Sequence, residues 1–128
     1  MNIKSESSPE LQPQVESIFT KIINGDIPAD LVYEDEHCIC INDIQPQAPL
    51  HLLIIPRKPI PMLAQAEPDD QALLGHLMLA VGRIAKQCEV ENAFRLIINN
   101  GQEAGQTVFH LHIHLLANKV FTEGSLAG

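Results

Sequence analysis

Apolar and polar positions change period several times along the chain, and each period predicts an element. Ser17 is followed by Ile18, Phe19, Ile22 and Ile23 at helical spacing, with Gly25 behind them. This predicts a short helix capped by the serine hydroxyl and stopped at the glycine. Residues 31–34 and 38–42 are short β-prone runs around the polar Asp35-Glu36-His37, which predicts a hairpin. Residues 51–55 are apolar after His51 and lack the alternation of a strand with one wet face, so they predict a central strand. Between 68 and 88, Leu73, Leu74, Leu77, Met78, Val81, Ile84, Ala85 and Cys88 form a broad stripe. Pro68, Asp69 and Asp70 suit the positive start of a helix there, and Arg83 and Lys86 its negative end. Residues 94–99 and 108–116 predict two further strands joined as a hairpin. Residues 1–16 carry prolines, serines and amides without an apolar period, and predict a mobile tail. The class is α+β: a mostly antiparallel five-stranded sheet packed by one long and one short helix, in one domain over 17–128.

The last strand carries the densest chemistry. His110, His112 and His114 alternate inside the apolar run 107–116. On a strand, side chains two apart share a face and stand about 7 Å apart, which lines three imidazoles on one surface and sends Leu111, Ile113 and Leu115 into the core. Composition alone would produce such a triplet in only about 1% of chains. Just upstream, residues 99–107 include Gly101 and Gly105, whose turns can leave amides free to form an anion-binding concavity beside the histidines.

Imidazoles beside such a loop suit phosphoryl chemistry, which needs a nucleophile, donors for the nonbridging oxygens and an acid for the leaving group. A backbone carbonyl accepting the proton of the other ring nitrogen would fix the reactive tautomer, although spacing does not say which histidine attacks. Two other classes stay open. Alternating imidazoles can bind a transition metal for a metal-dependent hydrolase, with a distant residue completing the site, since no acid or cysteine stands near them in sequence. A non-catalytic nucleotide-binding or interaction module is the other.

Outside the triplet the histidines carry less signal. His37 reads as exposed and inert, His76 as a boundary residue of the long helix, and His51 as a hydrogen-bonded core histidine outside the site. Asp43 sits where a strand ends before Pro46 and Pro49, a place where a side chain can project toward a ligand, although a turn aspartate is more often structural.

Charge narrows the partners. Sixteen acids against eight bases give a net charge of −8, and the bases are scattered. Without a basic stripe, nucleic acid is not expected, whereas a small phosphate ligand held by amides and imidazoles is compatible. Cys38, Cys40 and Cys88 make an odd count without a secretory signal or long apolar segment, so a reducing cytoplasm and no membrane are expected. Cys38 and Cys40 read as half-buried strand residues rather than a redox pair.

Asn99, Gly105-Gln106-Thr107 and His110-Leu111-His112-Ile113-His114-Leu115-Leu116 together resemble the histidine-triad (HIT) nucleotide hydrolases and transferases. Ser17-Ile18-Phe19, Lys21-Ile22-Ile23, Ile27-Pro28-Ala29, Asp43-Ile44, Pro46-Gln47-Ala48-Pro49 and His51 extend the resemblance to the Hint branch of purine nucleoside phosphoramidases, over about residues 17–116.

That resemblance implies hydrolysis at the α-phosphate of nucleoside 5′-phosphoramidates or related conjugates, with His112 as the nucleophile that forms a nucleotidyl-histidine. It gives His114 to the phosphate and His110 to a supporting role. Thr107, with the backbone of Gly105 and Gln106, would hold the phosphate and leaving group, and Asn99 would add an amide. Asp43 and Ile44 would meet the ribose of an AMP or GMP moiety, and the first helix would line the base pocket. It also implies a homodimer whose sheets run together, with the long helices and strand 94–99 near the interface. No cofactor and no catalytic metal are implied. Some relatives use cysteines around the first helix for a structural zinc; Ser17 and Thr20 stand there, so no zinc is expected. Uridylyltransferase relatives usually replace the third histidine with glutamine, so His114 favours hydrolysis. The C-terminus departs from the Hint pattern, with Ala117-Asn118-Lys119 in place of the glycine pair and arginine, and no tryptophan. The leaving group and the choice between adenine and guanine are therefore left open.

Overall fold

Ser17 caps helix α1, Ile18–Ile23, by accepting the Thr20 N–H on its side chain, and Gly25 follows the last turn with φ +83°. A left-handed backbone there favours glycine, which is why the helix stops where it does. The computed structural model of the chain describes residues 17–126; the segment 1–16, read above as a tail, lies outside the described residues.

Five strands follow: β1 Leu31–Glu34, β2 Cys38–Asn42, β3 Leu50–Pro56, β4 Phe94–Ile97 and β5 Ile113–Ala117. They form one antiparallel sheet in the order β1-β2-β3-β5-β4. Helix α2, Gln71–Gln87, crosses between β3 and β4 after a 3-10 turn at Pro68–Asp70. The α+β architecture expected from the pattern is the one observed.

Strand parity divides the core in two. Cys38, Cys40, Leu52, Ile54, Ile113, Leu115 and Ala117 point to α2 and meet its Leu77, Ala80, Val81, Ile84 and Ala85. Ile39, Ile41, Leu53 and Ile55 point the other way, onto Phe19 of α1. β3 is therefore covered on both faces, which explains its unbroken apolar run. Burying Ile84 contributes about 1.5–3 kcal/mol, and Ile84→Ala would cost about 2–5 kcal/mol with the cavity included.

Several boundaries differ from expectation. The last strand begins at Ile113 instead of 108, and β4 ends at Ile97 instead of 99. Residues 110–112 run beside the segment 56–61, where Pro56, Pro59 and Pro61 have no N–H to give a ladder. Isolated contacts replace it: Leu111 N–H donates to the Ile60 carbonyl at 2.6 Å, and His110 Nε2 to the Pro56 carbonyl at 2.7 Å. An ion pair from Lys58 to the buried Asp70 ties this segment to the start of α2. Cys38 and Cys40 are fully buried rather than half-buried, because both face α2.

Candidate functional site

The three histidines share the face opposite α2, although only His114 lies within a strand. Phe19 packs edge-on to His110 and His112, with ring centroids 6.1 and 5.1 Å away, and the His112 and His114 rings stand 5.1 Å apart. Leu111, Ile113 and Leu115 point into the core as the alternation requires.

Hydrogen bonds give each ring a distinct state. His110 Nε2 donates to the Pro56 carbonyl, so its Nδ1 accepts from the hydroxyls of Ser17 and Thr20, both at 3.3 Å. With 1% of its surface exposed, His110 has both nitrogens engaged. Burial foremost lowers its pKa; the Pro56 carbonyl opposes this and the neighbouring His112 adds to it. His112 Nδ1 donates to the His110 carbonyl at 2.8 Å, which leaves the lone pair on Nε2. Among the described residues nothing claims that nitrogen.

His114 is set from behind by His51. The Gln47 N–H donates to His51 Nδ1 at 2.9 Å, so the His51 proton sits on Nε2 and points at His114 Nδ1, 2.9 Å away. His114 thereby keeps its own proton on Nε2. Asp43 closes the group: its Oδ2 lies 3.3 Å from His51 Nε2 and 3.9 Å from His114 Nδ1. A backbone bond from Asp43 N–H to the His51 carbonyl at 2.9 Å holds the two residues together across the loop. Burial lowers the His51 pKa, with Asp43 opposing. Burial, then His112 and His51, bring His114 down to about 4 against the pull of Asp43. His51 and His114 are thus neutral at pH 7.

The loop ahead of the triad is more self-satisfied than its glycines suggest. The amides of Ala104, Gly105 and Gln106 donate to carbonyls within the loop, at 3.0 to 3.1 Å, so they are not the free donors expected. The Gln106 side chain, 2% exposed, is a brace: Oε1 accepts Gly101 N–H, and Nε2 donates to the carbonyls of Pro61 and Val108. Gly105 adopts φ +100°, and a Cβ there would stand 3.6 Å from the Asn99 side-chain nitrogen. Thr107 is exposed, and Ile44, beside Asp43, is 94% exposed.

The fold therefore brings Asp43, His112 and His114 together, with Asn99 against Gly105, while Gln106 turns its side chain away. His51 belongs to the cluster, contrary to the expectation that it stands outside the site. Its signal was its odd parity in β3, which puts it on the histidine face; only the register, His51 opposite Leu116 and Leu53 opposite His114, makes the two imidazoles diagonal neighbours. The Ser17 and Thr20 hydroxyls on His110 were likewise not foreseen.

A family model described as HIT domain matches residues 24–120. The chain belongs to the HIT family. An uncharacterised HIT-like protein of Synechocystis is 52% identical over 107 residues, covering 84% of this chain and 94% of that one. The crystal structure of a HIT family hydrolase from Legionella pneumophila superposes with a TM-score of 0.83 at 37% identity, covering 88% of this chain and all of the other. A histidine triad nucleotide-binding protein from Candida albicans gives a TM-score of 0.71 at 34% identity, over 78% of this chain and 73% of that one. His110, His112 and His114 lie within the residues that the family model matches.

Proposed function

We propose that this HIT protein is a hydrolase of the Hint-like branch, cleaving nucleoside 5′-phosphoramidates or related nucleotide conjugates at the α-phosphate through a nucleotidyl-histidine. The observation that carries the reading is the division of labour among the rings. His112 keeps a free Nε2 lone pair while its Nδ1–H is anchored, and His114 keeps a proton on Nε2. The Legionella and Candida neighbours, named as a hydrolase and as a nucleotide-binding protein, support the class.

In this mechanism His112 Nε2 attacks the α-phosphorus as the bond from phosphorus to the leaving nitrogen breaks, and the leaving amine takes a proton from solvent. The His110 carbonyl, accepting from Nδ1, stabilises the positive charge that develops on the ring. His114 donates from Nε2 to a nonbridging oxygen. Water then attacks phosphorus, the P–Nε2 bond breaks, and the nucleoside monophosphate leaves. Thr107, Gly105 and Asn99 border the phosphate, Asp43 accepts from the ribose hydroxyls, and Ile44 with the exposed Ile18 flanks the base of an AMP or GMP moiety. The working form is a cytoplasmic homodimer; a monomer mass by light scattering at micromolar concentration would reject that part.

A metal-dependent hydrolysis is the second reading, because Asp43, His51 and His114 place one donor atom each within 4.8 Å of one another. One experiment separates the two. Rapid quench with adenosine phosphoramidate, followed by denaturing mass analysis, should find one nucleotidyl group on the peptide carrying His112, with turnover unaffected by EDTA. His112→Ala should lose adduct and turnover yet still bind AMP. Substantial activity in that variant, or activity lost to chelator and restored by metal, would overturn the covalent reading.

A further inference from the structure

On the α2 side of the sheet, away from the histidine triad, a second set of ligating side chains meets where the β1–β2 turn abuts the helix. Asp35 comes from the turn, Cys38 opens β2, and His76 comes from the second turn of α2. Each places one donor atom within 4.8 Å of the other two.

The carboxylate is held in position from both sides. Asp35 Oδ1 accepts the N–H groups of His37 and Cys38 at 2.8 and 2.9 Å, and Oδ2 takes the Tyr33 hydroxyl at 2.8 Å and His76 Nε2 at 2.7 Å. The His37 ring stands 4.6 Å from the His76 ring, and its side chain is 53% exposed. His76 and Asp35 side chains keep 26% and 21% of their surface in solvent, which gives an ion a way in.

A hydrogen-bonded clamp between helix and turn accounts for Asp35 and His76 alone. Packing against α2 accounts for the burial of Cys38, but neither explains why a thiol and a second imidazole stand beside the clamped pair. Donors around tetrahedral zinc, with bonds of about 2.0–2.3 Å, stand roughly 3.2–3.8 Å apart, so the Cys38 distances need to close by no more than about 1.6 Å, while Asp35 Oδ2 and His76 Nε2, now 2.7 Å apart, open by about 0.5–1.1 Å. A thiolate, two imidazoles and a carboxylate are the donor set of zinc or cobalt, not of calcium or magnesium.

We propose that Asp35, Cys38 and His76, joined by His37, form a structural site for a tetrahedral zinc-type divalent ion that staples the β1–β2 turn to α2. On binding, the Cys38 thiol proton passes to solvent and the neutral His76 carries its proton on Nδ1. The Asp35 carboxylate stays anchored through Oδ1 and offers Oδ2. The site is independent of His112 chemistry.

The test is a Co2+ titration of the full-length protein after chelator treatment. One equivalent should produce sulfur-to-cobalt charge-transfer absorption with the visible bands of tetrahedral Co2+, and Zn2+ should displace it and raise Tm. The Asp43, His51 and His114 cluster has no sulfur and cannot give the charge-transfer band. Cys38→Ser should abolish that band, whereas Cys40→Ser, Cys88→Ser and His114→Ala should keep it. His76→Gln should weaken Co2+ binding by at least about tenfold, the lower range for disturbing a metal site. Circular dichroism checks that each variant folds; if Cys38→Ser does not, the His76→Gln titration decides. No charge-transfer band from folded wild type at saturating Co2+, or an undiminished affinity in His76→Gln, overturns the proposal.

Discussion

Replacing His51 by alanine tests whether the protonation pattern of His114 is imposed from behind. In the wild type, the His51 Nε2 proton points at His114 Nδ1 across 2.9 Å. Without it, the remaining partner of that nitrogen is Asp43 Oδ2, 3.9 Å away. A carboxylate only accepts, so the His114 proton moves to Nδ1, and Nε2, which would face the phosphate, becomes an acceptor. Losing one hydrogen bond to a charged group costs about 1.5–3 kcal/mol. At 1.36 kcal/mol per decade this is a roughly 10- to 160-fold fall in kcat. The His114 pKa, about 4 in the wild type, should rise, because one lowering neighbour is gone and the Asp43 attraction stays. Nitrogen-15 histidine spectra across pH would report the tautomer and the titration, alongside kcat on adenosine phosphoramidate. His51→Gln, which keeps an N–H donor, should recover part of the loss. A His114 that keeps its proton on Nε2 in His51→Ala, with kcat within about twofold of wild type, would refute the reasoning.

Gln106→Ala should lower unfolding stability by roughly 2–4 kcal/mol, from up to three backbone groups left unpaired at about 1–3 kcal/mol each with water offsetting part; urea unfolding measures it, and a loss below about 0.5 kcal/mol would show that the brace is dispensable. Asp43→Ala should weaken AMP binding by about 1.5–3 kcal/mol with the fold intact, and an unchanged Kd in calorimetry would remove Asp43 from the ribose site. Stability should also fall as pH drops from about 6.5 toward 4, because His51, His110 and His114 have lowered folded pKa values and the unfolded chain binds their protons first. Urea midpoints that stay flat across that window would contradict the neutral state of these rings.

Local rules made much of this HIT domain readable from its sequence. The Ser17 cap and the Gly25 stop depend only on neighbours along the chain, and both ends of α1 are where those residues put them. The continuous apolar run of β3 required cover on both faces, and α1 and α2 provide it. Parity alone sent Leu111, Ile113 and Leu115 one way and the three histidines the other.

The tertiary structure decided what depends on residues distant in sequence. Whether 108–112 would pair as strand rested on the prolines of the segment beside it, some fifty residues earlier in the chain. The amides of Ala104, Gly105 and Gln106 went to carbonyls of their own loop, and Gln106 became a brace, because a compact turn satisfies much of its backbone internally. His51 entered the site through the register of β3 against β5, and Asp35 met His76 only because α2 crosses the β1–β2 turn. Periodicity records which face a side chain takes; register and helix placement, set by packing across the whole core, determine which side chains meet on that face.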